Sequence, residues 1–483
     1  MAEGDQLDVA KARHLLRRTG FGATPKEIAK LRSRASTVGA AADLLVAYRP
    51  SAFTPTGSDR WLLHDNWIAY MIRSKAPLNE KLTLFLHDHF STSYDKVRDL
   101  KFMATQNRLL RRSGGGSFKD LVKAVNKDAA MMEYLDTSRN RKEEPNENYA
   151  RELQELFTLG TESVHGDPNY EQDDVVQIAR AFSGWDHDSA GNAVFKAGRH
   201  DTTSEFPDRG PKVIYRTVGG FGPGGRNFGS PEGPTEIDQV VDAIFAHRDR
   251  DGASMVARRL ARRLFEFFAH GGFAETPPGS PELAAVDEVI ARSGFATNWS
   301  TIGLLREIFV HDRFFDAVTD RELRSVKWPV DYVVSTMRML GTKPKGKWKY
   351  IAGGGYGSLR VHLANMNQLV FEPPSVFGWD WESAWINTAT LLARYRFARD
   401  VSGRYAEKYA PLKFLALPSG EPDTVIDTVT GYLGVRDDLT DTDRTAMRTF
   451  LGGPVDLTND EQVRTKIHGL IVLVLQSPAY QLH

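Results

Sequence analysis

The spacing of apolar residues constrains the fold of this chain more than any other feature. In residues 146–160, a rotation of ~100° per residue places the large apolar side chains on one side of a helix, namely Tyr149, Leu153, Leu156 and Phe157. The same helical period returns, after short breaks, through most of the sequence. We therefore predict an all-α protein, a single large multi-helix domain spanning residues 1–483.

Two segments interrupt the helical pattern. Residues 186–235 are rich in Gly, Asp and Pro, with strand-like runs at residues 193–195 and 212–215. We predict a minor irregular and β excursion there, and a domain sub-boundary would fall in the same segment. Residues 343–360 are basic and glycine-rich, which predicts a mobile loop.

Composition excludes several kinds of site. The 62 Lys and Arg residues balance 62 Asp and Glu residues, so no overall charge favours nucleic acid. Because the chain has no Cys, a metal ion must be held by His, Asp, Glu, amides or water. No basic stretch precedes an apolar run at the N terminus, and no segment has roughly eighteen uninterrupted apolar residues. We expect neither a signal peptide within this sequence nor a transmembrane segment, and the localisation stays open.

A polar stripe occupies another side of the helix at residues 146–160. It consists of Asn148, Arg151, Glu152 and Glu155. Two carboxylates one turn apart suit general acid–base chemistry, and the neighbouring amide and guanidinium suit substrate binding. The alternative is a solvated helix face with short-range charge pairs. We predict that Arg151 and Glu152 are largely buried.

Histidines lie next to acids in two other places. His87, Asp88 and His89 close a predicted helix, and His200 with Asp201 lies in the non-helical excursion. Residues two apart face opposite sides of a regular helix. The helix that ends with His87, Asp88 and His89 must therefore stop or unwind there for His87 and His89 to face one site. We predict His87, His89, His200 and Asp201 as metal ligands. The alternative is hydrogen-bonded core or loop residues.

Tryptophans form another group. Trp379, Trp381 and Trp385 lie within seven residues on a scaffold rich in Pro and Gly, and Trp185 follows a predicted helix. We predict that these side chains form an aromatic substrate-binding surface. The alternative is that they fill the core between helices.

Several of these segments together resemble a known family. Residues 146–160 followed by 173–185 resemble the signature of the domain of unknown function 1800 family, a bacterial group without an established activity. The other matching segments occur in the family's order, at residues 13–22, 84–93, 200–201, 325–334, 373–379 and 385–387. Leu86 and Asp88 stand where the family usually has Trp and Asn. The resemblance suggests a periplasmic or secreted protein and a sulfatase-like partner.

Three functions are compatible with these residues. The leading hypothesis is a metal-assisted hydrolase acting at the cell envelope or on a polysaccharide-type substrate. Its catalytic carboxylates would be Glu152, Glu155 and Asp88, with one or two divalent ions (Zn, Mn, Mg, Ca or Fe). The first alternative is a non-catalytic carbohydrate-binding or assembly protein. The second is a non-haem iron oxygenase, because two His and one carboxylate suit iron. Both enzymatic hypotheses expect His87 and His89 to face the polar stripe, covered by residues 200–201.

Overall fold

The computed structural model describes residues 1–47, 51–229, 232–341, 359–406 and 415–483. The protein is 60% helical. Within the described ranges, strands form only two small two-stranded sheets. The prediction of a predominantly α-helical fold is confirmed, whereas the assignment of one domain stays a prediction. No helix in these ranges is both long enough and apolar enough to cross a membrane.

Short α-helices fill most of the chain up to Phe182. They are α1 (Val9–Thr19), α2 (Pro25–Arg34), α3 (Val38–Leu45), α4 (Arg60–Arg73), α5 (Pro77–His89), α6 (Tyr94–Val97), α7 (Leu100–Ser113), α8 (Phe118–Val125), α9 (Ala129–Tyr134), α10 (Asn148–Glu152) and α11 (Gln172–Phe182). The local sequence explains where many of these helices begin. Pro25 occupies the first turn of α2, and Thr24 and Glu27 form the capping box that fixes its N terminus.

The predicted non-helical excursion follows α11. Strand β1 (Trp185–His187) pairs antiparallel with β2 (Ala193–Phe195), and β3 (Val213–Ile214) pairs antiparallel with β4 (Arg226–Asn227). Short 3-10 turns lie between these strands, at Ala197–Arg199 and Pro207–Arg209. The excursion is therefore built of short hairpins and turns, as the Gly- and Pro-rich composition predicts.

Helices resume after the excursion. They are α12 (Glu236–Ala246), α13 (Met255–Phe268), α14 (Pro281–Ser293), α15 (Phe295–Asn298), α16 (Thr301–Phe309), α17 (Asp316–Thr319), α18 (Pro329–Met339), α19 (Leu359–Asn365), α20 (Thr388–Ala406), α21 (Pro422–Leu433), α22 (Asp441–Leu451), α23 (Asp460–Gln462), α24 (His468–Gln476) and α25 (Pro478–Gln481). The loop predicted at residues 343–360 lies outside the described residues, except for its last two, which begin α19.

Helix α5 lies at the centre of the molecule. Every residue of α5 after Pro77 is buried. The buried apolar side chains around it form a cluster to which segments from Ala2 to Tyr480 contribute. Because α5 has no solvent-facing side, its polar residues need partners inside the protein. This requirement decides the environment of His87, Asp88 and His89.

Candidate functional site

His87 lies in an aromatic environment on one side of α5. The helix continues through His89, so the unwinding required for a shared site does not occur. The His87 Nε2 atom accepts a hydrogen bond of 3.0 Å from the backbone N–H of Phe371. Trp67 and Trp379 contact the imidazole edge to face. Burial lowers the pKa of His87 to about 3, so the ring is neutral at physiological pH.

His89 faces the opposite side of α5. Its Nε2 atom hydrogen-bonds the carbonyl oxygen of Phe157 at 3.0 Å, and Phe85 and Phe90 pack against the ring. Burial lowers the pKa of His89 to about 3 as well. His89 thus meets the apolar side of the helical segment at residues 146–160, while Asn148, Glu152 and Glu155 lie on another side.

Asp88 anchors the tryptophan-rich segment to α5. Its Oδ1 atom accepts a hydrogen bond of 2.7 Å from the backbone N–H of Trp379, and Oδ2 accepts one of 3.2 Å from Trp381 Nε1. Burial raises the pKa of Asp88 to about 6, although Arg263 and the bond from Trp379 act in the opposite direction. Gly378 has φ +85°, and a Cβ there would lie 2.3 Å from Asp88 Oδ1. Only glycine allows this approach.

Most of the predicted tryptophan surface lies inside the protein. Trp185, Trp379 and Trp385 are buried, and Trp381 is half-buried. The guanidinium of Arg263 lies over the Trp381 ring, 4.2 Å from its centroid. The face of the Trp381 ring is therefore covered by a side chain of the protein itself. A role of the four tryptophans in substrate binding stays a prediction.

Asp201 belongs to a buried ion-pair network. The Arg180 guanidinium donates two hydrogen bonds to Asp201 Oδ1, at 3.1 and 3.0 Å, and Arg209 donates to Oδ2. The Ser183 hydroxyl accepts a hydrogen bond from the Asp201 backbone N–H. Asp201 therefore fastens the non-helical excursion to the end of α11.

His200 extends the same network toward α12. Its Nδ1 atom hydrogen-bonds the Ser183 carbonyl oxygen at 2.8 Å, and its Nε2 atom lies 3.3 Å from Glu236 Oε1. Lys212 Nζ donates to Glu236 Oε2 at 2.7 Å and also to the Asp201 carbonyl oxygen. The buried charges here are paired with one another, as buried charges must be.

The predicted metal ligands do not come together in one cluster. Among the described residues, the one group of three or more His, Asp or Glu side chains with ligand atoms all within 4.8 Å is His165, Asp249 and Asp251. Arg258 Nη1 already lies 3.2 Å from Asp249 and 2.8 Å from Asp251, so a cation of the protein compensates these acids. Metal binding at the four predicted ligands stays a prediction.

The helical segment at residues 146–160 changes its winding in the middle. Helix α10 continues into a π-helical turn, Leu153–Thr158, in which the Thr158 hydroxyl donates to the Leu153 carbonyl. Single π-helical turns inside α-helices occur frequently at functional sites. Gly160, with φ +87°, ends the segment, and a Cβ there would lie 2.7 Å from Arg259 Nη1.

The outer members of the polar stripe are solvated. Asn148 is exposed, and Arg151 is 37% exposed while it pairs with Glu147 at 3.1 Å and donates to Gln172 at 2.8 Å. Glu152 is half-buried. The prediction that Arg151 and Glu152 are largely buried is therefore wrong, because the short helix presents this side to solvent.

Glu152 and Glu155 are the two carboxylates of the polar stripe, and their partners differ. Within the described part of the chain, no side chain or backbone group forms a hydrogen bond or ion pair with the Glu152 carboxylate. Burial raises the pKa of Glu152, the Glu155 charge raises it further, and Arg151 lowers it. In contrast, the Tyr170 hydroxyl donates a hydrogen bond of 2.8 Å to Glu155. Burial raises the pKa of Tyr134, and the charge of Glu152 raises it further.

Two arginines of α13 contact the π-helical turn and Asp88. Arg259 and Arg263 are four residues apart and share one helix face. Arg259 donates to the Leu156 carbonyl oxygen at 3.1 Å, and burial lowers its pKa to about 9 while the Glu155 charge raises it. Arg263 reaches Asp88 at 3.5 Å. From the sequence, the arginines of this helix are interpreted as a charged outer face, so neither Arg259 nor Arg263 is among the predicted site residues.

A large open cleft lies away from all the predicted residues. Its volume is about 900 Å³, and its wall includes Glu27, Ser74 and Arg338. Arg338 closes part of it with hydrogen bonds to the Ser74 carbonyl and to Glu27. Other wall residues, Arg73 and Tyr432 among them, also have partners. None of the predicted site residues is among the residues that line this cleft.

Comparison with known proteins identifies a family without naming a reaction. No curated protein and no solved structure matches this chain. The family described as "Protein of unknown function (DUF1800)" matches residues 14–482, nearly the whole chain. The chain therefore belongs to the DUF1800 family.

Proposed function

We propose that this protein is a hydrolase of polysaccharide-type substrates that uses Glu152 and Glu155 as its catalytic carboxylates. One observation carries the proposal: Glu152 is half-buried, has a raised pKa and is unpaired in the described part of the chain, directly beside a second carboxylate. Such a group retains its proton closer to neutral pH than an ordinary glutamate, as a general acid requires.

The two carboxylates have different environments, which supports different roles. Glu152 would donate its proton to the oxygen of the leaving sugar as the glycosidic bond breaks. Glu155, oriented by the Tyr170 hydroxyl, would accept a proton from the attacking water. The overall reaction adds one water molecule across the glycosidic bond. A pair of carboxyl groups is sufficient to catalyse this reaction. Asp88 would contribute indirectly, by holding Trp381 and Arg263.

The surroundings of the pair suit a polar substrate. Arg151 and Asn148 lie on the same solvent-facing side, and the Tyr170 hydroxyl donates a hydrogen bond to Glu155. Arg259 provides positive charge behind Glu155. A divalent ion is not required for the proposed steps. Metal dependence, a sulfatase-like partner and an envelope location stay predictions, addressed by metal analysis, co-purification and localisation of the native protein.

The test is an activity screen with matched variants. The purified protein is incubated with a panel of polysaccharides, with added divalent ions and after chelation, and new reducing ends are measured. Glu152→Gln and Glu155→Gln are expected to lower kcat by about 10²–10⁴. Glu144→Gln is the control, because Glu144 is an exposed carboxylate in the loop before the same helix. It should retain full activity.

The pH profile separates catalysis from folding. For a general acid, activity declines as pH rises through the pKa of Glu152, and Glu152→Gln removes this limb of the profile. Equal activity of Glu152→Gln and wild type on a hydrolysed substrate would refute the proposed roles. Saturable binding of a polysaccharide that none of the conditions hydrolyses would instead support the non-catalytic carbohydrate-binding function.

A further inference from the structure

The π-helical turn that carries Glu155 is contacted from the interior by one residue of the non-helical excursion. Tyr215 directly follows strand β3 and is fully buried. Its hydroxyl donates a hydrogen bond of 3.0 Å to the Oε1 atom of Gln154, the second residue of the π-helical turn. Gln154 is also fully buried. The excursion therefore reaches the side of the turn that faces the core.

Gln154 holds the π-helical turn together at both of its ends. Its carbonyl oxygen accepts hydrogen bonds from the backbone N–H groups of Leu159 and Gly160, at 2.8 and 3.0 Å. The bond from Leu159 joins residues five apart, the interval that defines π winding. The Gln154 Nε2 atom donates to the carbonyl oxygen of Ala150 at 3.4 Å, one turn earlier. A group that fixes the Gln154 side chain therefore acts on the winding of the whole turn.

Tyr215 has a strained backbone that its surroundings enforce. Its φ is +59°, in the left-handed region, which is unusual for a bulky residue. The backbone N–H donates to Asp174 Oδ1 at 2.6 Å, which fixes Tyr215 against the first turn of α11. The Phe221 ring stacks on the Tyr215 ring at a centroid distance of 5.7 Å, and His247 meets it edge to face. Strain of this kind persists only where the surroundings determine the conformation, and it is concentrated at functional sites.

The excursion also contacts the segment that supplies the hydrogen-bond partner of Glu155. That partner, Tyr170, directly precedes Glu171 in the chain. The hydroxyl of Thr217, two residues after Tyr215, donates a hydrogen bond of 2.7 Å to Glu171 Oε1. The excursion therefore contacts both structures that orient Glu155, namely the π-helical turn and the segment that leads into α11.

We propose that Tyr215 is a positioning residue for the two carboxylates: through Gln154 it holds the π winding that sets the separation of Glu152 and Glu155. Regular α winding places residues three apart on neighbouring positions of one face, and the wider π-helical turn changes this offset. The Tyr215 hydroxyl binds the Gln154 amide rather than a carboxylate, so it acts indirectly. This role rests on the proposed function, in which Glu152 and Glu155 must lie at a fixed separation.

The first experiment compares Tyr215→Phe, which removes only the hydroxyl, with Tyr332→Phe. Tyr332 is the matched control, because it is also fully buried and its hydroxyl donates to the carbonyl oxygen of Leu475 in α24, at 3.1 Å. Hydrogen exchange is measured at the amides of Leu159 and Gly160 relative to the amides of α14, so that a change in global stability cancels. Tyr215→Phe should speed this relative exchange about fivefold, the effect of one hydrogen bond. Tyr332→Phe should leave it unchanged.

Two further measurements separate positioning from a merely structural role. On the polysaccharide that the wild type hydrolyses, Tyr215→Phe should lower kcat about fivefold and leave KM unchanged, because Asn148 and Arg151 precede the π-helical turn. An NMR titration of labelled glutamate side chains should show a changed pKa of Glu152, since the charge of Glu155 raises that pKa and its effect depends on distance. A loss of global stability alone changes neither quantity, so the control variant should match wild type in both.

A double-mutant cycle tests the route through Gln154. Gln154→Met removes the acceptor of the Tyr215 hydroxyl, so Tyr215→Phe should add no further change in exchange in that background. Additive effects, or unchanged exchange in Tyr215→Phe, would overturn the proposal and leave the hydrolase function standing. Faster exchange and a changed pKa of Glu152 in a protein that hydrolyses none of the substrates would support the positioning by Tyr215 and refute the proposed function instead.

Discussion

Replacing Asp88 by alanine is expected to loosen the tryptophan-rich segment, residues 371–385, from α5. The mutation removes the acceptors of Trp379 N–H at 2.7 Å and of Trp381 Nε1 at 3.2 Å. A buried N–H without an acceptor costs about 1–3 kcal/mol, and the second hydrogen bond contributes about 1 kcal/mol. Loss of a buried carboxylate offsets part of this cost. We expect a net loss of ~2–3 kcal/mol in the free energy of unfolding.

The conservative variant and a neighbouring control sharpen this prediction. Asp88→Asn keeps an acceptor for Trp379 N–H and removes the buried charge, so its loss should be smaller than that of Asp88→Ala. Asp380→Ala alters an exposed acid in the same segment and should change stability by less than ~0.5 kcal/mol. Urea unfolding followed by circular dichroism gives the free energies, and hydrogen exchange reports local opening of residues 371–385.

The reasoning fails if Asp88→Ala matches wild type in both measurements. It also fails if hydrogen exchange increases uniformly along α5 and leaves residues 371–385 unchanged. The first result would mean that the two hydrogen bonds add no net stability. The second would mean that Asp88 stabilises its own helix rather than the contact with the tryptophan-rich segment.

Three further predictions concern stability. Glu80→Ala should lower the free energy of unfolding, measured in urea, by ~3–5 kcal/mol, because it removes the 2.7 and 2.9 Å contacts of the fully buried Arg111 guanidinium with Glu80. Glu144 is exposed, so Glu144→Ala should leave the free energy of unfolding unchanged. Gly160→Ala should cost at least ~1–2 kcal/mol, since φ is +87° and the new Cβ would approach Arg259, while Gly198→Ala meets nothing within 4 Å and should be tolerated. Burial raises the pKa of Asp128 to about 7 from 3.8, so its contribution to stability is present below pH 3.8 and is lost as pH rises through about 7. The unfolding free energy of wild type minus that of Asp128→Asn should fall by about 4 kcal/mol across this window, and a flat difference would contradict the raised pKa.

Much of the fold was predictable because its signals are local. The capping box at Thr24 and Glu27 and the proline at the first helical position lie within four residues of each other. The apolar period that predicts α10 and α11 spans single helices. The Gly- and Pro-rich composition between residues 186 and 235 likewise indicates hairpins and turns without reference to the rest of the chain.

The surroundings of the predicted site residues were not predictable, because distant contacts decide them. His87 meets Phe371 across 284 positions, and Asp88 meets Trp379 across 291. Helix α5 ends at His89 rather than one turn earlier, which alone places His87 and His89 on opposite sides. Boundaries of this kind are not readable from sequence to within two residues. The π-helical turn at Leu153–Thr158 has no local sequence signal either.

The histidine and aspartate clusters that the sequence singles out are paired within the protein because of where they lie in the fold. A polar group on a fully buried helix must find partners within the protein, so His87 and Asp88 are occupied by Phe371 and Trp379. The same requirement joins Asp201 to Arg180. A group at the boundary of the core can remain unpaired because water satisfies it, and yet partial burial shifts its pKa. Glu152 meets both conditions, which is why a half-buried helix side, rather than the histidine clusters, carries the proposed chemistry.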